Sequence, residues 1–166
     1  IITSDLLYSD YSGFDTGISG AYSQIRREIR GADMPFQVFV NGTDNMSPNY
    51  IWGFGNLASK WGALNNSQDE TLTDTFAWLY GIVNAANTII DRAAREDVDW
   101  NGGPGSATDN MNYIIAEARA IRGWAYRHLT YLWGDVPLSL VESTGSSIKT
   151  DWERTPKSQI REQIIA

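Results

Sequence analysis

Cysteine is absent from this sequence and histidine occurs once, and both shortages restrict the chemistry open to it. Without cysteine the chain has no disulfide, no thiol nucleophile and no cysteine-ligated metal site. The one histidine, His128, has no G-x-S-x-G elbow or cysteine elsewhere in the chain to act with. We therefore expect His128 to be a helix residue that packs beside Leu129 or is partly exposed, and we predict no catalytic residue and no cofactor.

Basic charge is also scarce, with 13 lysines and arginines against 20 aspartates and glutamates and a formal net charge of -7. Binding to a phosphate backbone needs a basic surface, so nucleic acid is excluded as a partner. The phosphate-binding glycine motifs are missing, and the 20 carboxylates show no spacing that singles out a catalytic pair. These absences favour a binding or structural role over catalysis.

Long apolar runs are missing, because every apolar stretch falls far short of the roughly 20 residues that cross a bilayer. No basic region followed by an apolar one opens the chain, as an export signal would. The chain starts at Ile1 without methionine and stops at Ala166 inside an apolar run that has no helix-ending residue. We therefore expect residues 1–166 to be one region of a longer protein, from which any export signal has been removed.

Apolar residues recur every three or four positions in four segments, which predicts four helices. The first runs from about Asp15 to Arg30 and the second from about Glu70 to Arg95. The third runs from Thr108 or Asp109 to about Trp133, and Thr155 is the expected N-cap of the fourth. The predicted apolar faces comprise Ile18, Tyr22, Ile25 and Ile29; Leu72, Phe76, Leu79, Val83, Ala86 and Ile90; Ile114, Ala118, Ile121, Ala125, Leu129 and Leu132; and Ile160, Ile164 and Ile165.

Strand signals are weak, with residues 36–40 and 136–141 as the only candidates. The fold class is therefore predicted to be all-α, with helix pairs joined by loops of unequal length. The large aromatic side chains on the helices are expected in the core or at contacts between helices, since aromatic residues dominate packing. They are Tyr22, Phe76, Trp78, Tyr80, Trp124, Tyr126, Tyr131 and Trp133.

One acidic segment between the second and third predicted helices partly matches a calcium-binding loop. Asp97, Asp99, Asn101 and Gly102 stand at the first, third, fifth and sixth positions of such a loop. The last position should supply a bidentate carboxylate, but Thr108 occupies it. The segment is therefore interpreted as an acidic, glycine-rich turn, and calcium binding is the alternative.

Residues 31–68 form a long segment rich in helix-breaking residues, and it also carries several aromatic side chains. Tyr50, Trp52, Phe54 and Trp61 lie here among asparagines such as Asn65. Aromatic rings can stack on the apolar faces of sugars while amides and carboxylates hydrogen-bond to the hydroxyls, so this composition suits a neutral glycan. The alternative is that these aromatic residues hold the segment against the helices.

The third predicted helix carries a long motif that resembles a known family. Residues 115–138 read IAEARAIRGWAYRHLTYLWGDVPL, which is similar to the AEAR-to-GDVPL signature of SusD/RagB-type outer-membrane glycan-binding lipoproteins. Three other segments resemble the N-terminal part of that family in the same order, namely Ile18–Tyr22, Trp78–Asn87 and Arg154–Ile160. The resemblance spans nearly the whole chain, which is therefore expected to be the N-terminal SusD-like helical region.

The resemblance implies tetratricopeptide-like helix pairs, followed in sequence by a larger, loop-rich remainder. It implies a lipoprotein on the surface of the outer membrane of a Gram-negative bacterium, anchored through a lipidated N-terminal cysteine that this chain lacks. Members of the family bind oligosaccharide or polysaccharide without catalysis and deliver it to a SusC-like TonB-dependent transporter for nutrient uptake. The expected partners are therefore a glycan and such a transporter.

The family motif is expected to be mostly structural. Charged groups on an otherwise apolar helix need partners, so Glu117, Arg119 and Arg122 are predicted to satisfy buried partners between helices. Residues 134–137 are predicted to end the helix and to direct the chain that follows. The motif is therefore not taken as the binding site.

Sugar contacts in the family vary, and they commonly involve aromatic residues in the loop before the second conserved helix. By position, the resemblance places them at Tyr50, Trp52 and Trp61, with Asp44 and Asn65 as partners of the sugar hydroxyls. Two other functions stay open at this point. The chain could be a helical protein–protein interaction scaffold whose aromatic residues form its core, or part of a hydrolase whose active site lies outside these residues.

Overall fold

The structure, a computed structural model, describes residues 4–29, 38–39, 66–144 and 149–165. Most of these residues are helical, which confirms the all-α prediction, while the tetratricopeptide-like pairing stays a prediction. The helices are α1 Ser4–Leu7, α2 Tyr11–Ile25, α3 Glu70–Ala93, α4 Ala107–Trp133 and α5 Lys157–Ile165, with a 3-10 turn at Arg26–Ile29. Within the described ranges, no helix is both long and apolar enough to span a membrane.

Neither candidate strand forms among the described residues. Val38 and Phe39, the described residues of the first candidate, are helical. In the second candidate, Val136 makes only an isolated antiparallel bridge with Thr155. Val38 and Val136 are both buried, so these apolar side chains are removed from solvent without a strand.

By its internal contacts the chain divides into two compact units, Ile1–Tyr22 with Leu79–Ala166 and Ser23–Trp78. The first contains most of the described core. In the second, the indole Nε1 of Trp78 donates to the carbonyl oxygen of Gln24 at 2.9 Å, and Trp78, Thr75 and Val38 are buried. Each unit therefore has buried side chains of its own.

The first long helix begins four residues earlier than predicted. The carboxylate Oδ1 of Asp10 accepts a hydrogen bond from the backbone N–H of Gly13 at 2.8 Å, so Asp10 caps α2. This start places Phe14 in the core with Ile18 and Ala21, while Tyr22 is largely exposed. The predicted apolar face was therefore wrong at Tyr22, and it was also wrong at Ile29, which is 69% exposed.

The second predicted helix corresponds closely to α3. Asp69 caps it, because its Oδ1 accepts from the backbone N–H of Leu72 at 3.1 Å. Leu79, Val83 and Ala86 are buried as predicted, but Ile89 is buried more deeply than Ile90. Thr75, Ile82 and Ile89 each precede a predicted position by one residue and are all buried, so the core face of α3 is centred slightly before the predicted one.

The longest helix, α4, confirms the predicted core face at Ile114, Ala118, Ile121, Ala125 and Leu129. It ends at the predicted position, where Gly134 has a φ of 72° that favours glycine and donates its N–H to the carbonyl of Thr130 at 3.2 Å.

The N-cap of α4 is Ser106, not Thr108 or Asp109. The hydroxyl of Ser106 accepts from the backbone N–H of Asp109 at 3.2 Å, and the Asp109 carboxylate accepts from the N–H of Ser106 at 3.4 Å, which together form a capping box. We expect Ser106→Ala to lower the free energy of unfolding by about 1 kcal/mol. Thr108→Ala is the matched control and should have almost no effect in urea unfolding. Equal losses in the two variants would contradict the assigned cap.

Candidate functional site

All five residues predicted to bind glycan lie outside the described residues. They are Asp44, Tyr50, Trp52, Trp61 and Asn65. The chain that follows them in sequence is described from Asn66, whose Oδ1 accepts from the backbone N–H of Gln68 at 2.9 Å in a turn that leads to the cap of α3. The glycan-binding assignment therefore stays a prediction.

The aromatic residues on the helices have two different environments. Trp78 and Tyr126 are buried, as predicted for core residues. Tyr22 and Tyr131 are 42% and 75% exposed, so neither is a core residue. The hydroxyl of Tyr22 instead donates to Oε1 of Glu117 at 2.9 Å, which joins α2 to α4.

The acidic segment after α3 is a hydrogen-bonded turn. Both carboxylate oxygens of Asp97 pair with the guanidinium of Arg95, at 2.9 and 2.5 Å. Oδ1 of Asp99 accepts from the backbone N–H and the side-chain amide of Asn101. The hydrogen bonds from Arg95 lower the pKa of Asp97, and the backbone N–H of Asn101, together with its side-chain amide, lowers the pKa of Asp99. Among the described residues no three acidic or histidine side chains form a metal-binding group. The contacts made by both carboxylates support the interpretation as a turn.

His128 has a structural environment. It is buried in α4, where its Nδ1 lies 2.8 Å from the carbonyl oxygen of Trp124 and its ring centroid lies 4.1 Å from that of the Trp124 ring. This arrangement confirms that His128 packs within the helix.

The family motif builds a buried polar network, which we call the strap network, from Asn87, Arg122, Tyr126 and Ser139. The amide nitrogen of Asn87 donates to the carbonyls of Ser139 and Val141 at 3.1 and 3.0 Å. Its amide oxygen accepts from the guanidinium of Arg122 at 2.8 Å. The network fixes the extended chain after α4 to the side chains of α3 and α4.

Tyr126 completes the strap network from within α4. Its hydroxyl accepts from the N–H of Ser139 at 2.6 Å and donates to the carbonyl of Ser139 at 3.1 Å. Burial raises the pKa of Tyr126 to about 12, so the hydroxyl keeps its proton at neutral pH. Arg122 was predicted to have a buried partner on another helix, and its hydrogen bond to Asn87 confirms this.

The motif also positions α5. Oδ1 of Asp135 accepts from the backbone N–H of Lys157 at 2.9 Å, and the N–H of Thr155 donates to the carbonyl of Val136 at 2.9 Å. Asp135 therefore satisfies a free N–H in the first turn of α5 that Thr155 was predicted to satisfy. A carboxylate supplied from a distant part of the sequence leaves no local capping pattern, which is why the sequence did not reveal it.

Arg119 departs from the prediction. Its side chain is exposed, and it has no hydrogen-bond or ion-pair partner among the residues that the structure describes. Arg119 and Arg122 instead line a cavity of about 270 Å³ together with Gln163 and Ile164 of α5. Sequence reasoning paired these arginines with protein groups and so missed the cavity. The spacing of three residues between them, which places both on one side of a helix, was the available signal.

An open groove of about 630 Å³ shares Arg119 and Ile164 with this cavity. Its other lining residues are Ala116, Ala120, Gly123, Trp124, Arg127 and Ile165. Small residues of α4 therefore leave room beside a tryptophan, and arginines border the space.

Comparison with known proteins gives one informative similarity. The chain matches SusD-like protein P25 of Formosa agariphila with 27% identity over 143 residues. The match covers 82% of this chain and 26% of the relative, so the chain spans about a quarter of that protein's length. No family model and no solved structure matches the chain. Over most of its length, this helical chain is therefore similar to a SusD-like protein.

Proposed function

We propose that the chain is the N-terminal helical region of a non-catalytic protein that binds oligosaccharide or polysaccharide at the cell surface. The observation that carries the proposal is the 27% identity to a SusD-like protein over 143 residues. The motif of residues 115–138 and the helical fold agree with it.

The proposed glycan contacts are stacking on Tyr50, Trp52 and Trp61 and hydrogen bonds from hydroxyls to Asp44 and Asn65. An aromatic ring removes the apolar face of a sugar from water, and the polar groups fix its orientation.

The proposed partner is a SusC-like TonB-dependent transporter, to which the protein delivers its glycan for nutrient uptake. The proposed location is the outer membrane surface, with attachment through a lipid anchor that is not in this sequence.

Glycan binding can be tested by affinity electrophoresis through gels that contain single polysaccharides. We expect one polysaccharide to retard the protein, and we expect Trp52→Ala and Trp61→Ala each to weaken binding roughly tenfold or more, because a buried aromatic contact is lost. Trp152→Ala is the matched control, since Trp152 is 39% exposed and lies outside the proposed contacts. Circular dichroism checks that each variant is folded.

Two results would contradict this proposal. If no polysaccharide retards the folded protein, glycan capture is wrong, and a helical interaction scaffold becomes the better interpretation. If Trp152→Ala weakens binding as much as the other two variants do, the assignment of the contacts to residues 44–65 is wrong.

A further inference from the structure

A buried arginine without a carboxylate partner is the starting point. The side chain of Arg122 is 9% exposed, and its hydrogen-bond acceptors are the amide oxygen of Asn87 and, at 3.5 Å, the carbonyl of Leu140. Both acceptors are neutral. Burial lowers the pKa of this guanidinium, the positive charge of Arg119 acts in the same direction, and Tyr126 and the carboxylate of Asp91 oppose them. A buried charge whose hydrogen-bond acceptors are neutral keeps an attraction for an anion.

The remaining hydrogen-bonding capacity of Arg122 is available to the cavity described above. A guanidinium has five N–H donors, and only one of its nitrogens donates to described protein acceptors. No buried side-chain nitrogen in the described residues lacks a partner, so the other donors of Arg122 are open to the space that it lines. Arg119 lines the same cavity and has no hydrogen-bond or ion-pair partner in the described part of the chain.

We propose that this cavity binds the oxyanion of an acidic sugar, either a carboxylate or a sulfate ester, and that the captured glycan is therefore anionic. The inference rests on the proposed function. Two guanidinium groups can each donate two parallel hydrogen bonds to such an oxyanion, which is the arrangement that arginine favours over lysine. The other described lining groups are the amide of Gln163 and the apolar Ile164, and neither repels an anion.

The size of the cavity suits one charged group and not a whole oligosaccharide. About 270 Å³ holds roughly nine waters at about 30 Å³ each. The adjoining groove of about 630 Å³ provides space for the neighbouring sugar rings, and Trp124 offers an aromatic surface there. A Cβ at position 123 would lie 3.8 Å from Ile164. Glycine at this position therefore leaves the volume of one methyl group free in the groove.

The local positive charge contrasts with the rest of the chain. The formal net charge is -7, yet the cavity and groove together present Arg119, Arg122 and Arg127 and no described acidic residue. Such a site attracts an anionic glycan to one place on a surface that otherwise repels it. Charge therefore sets both the position and the class of the ligand.

The test compares acidic oligosaccharides with neutral counterparts of the same sugars by isothermal titration calorimetry on the folded protein. Oligogalacturonate, alginate oligosaccharides and sulfated galactans are the probes, with methyl-esterified and desulfated forms as their neutral partners. We expect one acidic probe to bind more tightly than its neutral form, and we expect raised salt to reduce this difference. If oligogalacturonate or alginate oligosaccharides bind, the recognised group is a carboxylate. If sulfated galactans bind, it is a sulfate ester.

Arg119→Gln is the decisive variant, because Arg119 has no described partner whose loss would unfold the protein. We expect it to weaken binding of the acidic probe roughly tenfold to hundredfold and to weaken binding of the neutral form much less. Arg122→Lys should also weaken binding of the acidic probe, since lysine keeps the charge but loses the paired donors. Arg154→Gln removes the same charge from an exposed position elsewhere and serves as the control.

The outcomes separate this inference from the proposed function. Equal affinity for acidic and neutral forms, or an unchanged affinity in Arg119→Gln, overturns the anionic site while glycan capture stands. A loss in Arg154→Gln equal to that in Arg119→Gln means that only net charge matters, which also overturns the site. Failure of every acidic and neutral probe to bind removes both the inference and the proposed function.

Discussion

Replacing Asn87 with leucine is expected to lower the free energy of unfolding by about 3 to 5 kcal/mol. Asn87 is completely buried, and its amide serves three groups at once, the guanidinium of Arg122 and the carbonyls of Ser139 and Val141. Leucine has a similar volume but no polar atom, so all three groups would lose a partner away from water. A native domain is stable by only about 5 to 15 kcal/mol, so this loss is a large fraction of the total.

The measurement is urea unfolding followed by circular dichroism. Asn112→Leu is the matched control, because Asn112 is exposed on α4 and its side chain makes no hydrogen bond with the described residues. We expect the control to change stability by less than about 0.5 kcal/mol. A loss below about 1 kcal/mol in Asn87→Leu would show that the strap network does not hold the chain after α4.

Replacing Phe14 with alanine is expected to cost about 3 to 5 kcal/mol of the free energy of unfolding. Phe14 is fully buried, with its ring centroid 5.0 Å from that of Tyr8 and 4.6 Å from that of Trp100. Alanine would leave a cavity between two large aromatic side chains, which the surrounding backbone cannot fill. The backbone there is fixed by hydrogen bonds from Tyr11 to Asp99 and from Asp99 to Ser9.

The effect of Phe14→Ala should be specific to the buried ring. Ile29→Ala is the comparison, since the predicted core role of Ile29 was wrong and its side chain is 69% exposed. We expect almost no change for Ile29→Ala, and a smaller loss for Phe14→Leu than for Phe14→Ala, because leucine fills part of the cavity. Similar losses for Phe14→Ala and Ile29→Ala would contradict the assigned core.

Local patterns in the sequence were sufficient for the long helices. The repeat of apolar residues predicted α3 and the core face of α4, because a helix of more than twenty residues shows its period many times. Gly134 marked the end of α4 because only a residue without a side chain adopts its backbone angle easily. These features depend on interactions between residues that are close in sequence.

Caps and short helices were predicted less well, and the reason is the distance of their partners in sequence. Asp135 reaches the first turn of α5, which lies 22 residues later, and no local rule connects them. The start of α2 was misplaced because the positions of Tyr8 and Trp100 decide that Phe14 is buried. Which of several plausible caps is used depends on how the helices pack.

For the candidate sites as well, local sequence predicted some features and long-range packing decided others. The motif of residues 115–138 was sufficient to predict a SusD-like chain, and the similarity to a SusD-like protein agrees with it. The sequence could not distinguish Arg122 from Arg119, because both are arginines of one motif. Only the tertiary structure decided that Arg122 is buried against Asn87 while Arg119 is exposed at a cavity between α4 and α5.

Sequence by itself determined the helical class, the excluded chemistries and the family resemblance, since all three depend on composition and on short-range periodicity. The tertiary structure decided which polar groups have protein partners and which are open to a ligand. That distinction arises from long-range contacts, such as the 35 residues that separate Asn87 from Arg122. Whether a polar side chain has a protein partner therefore depends on the residues that the fold brings next to it.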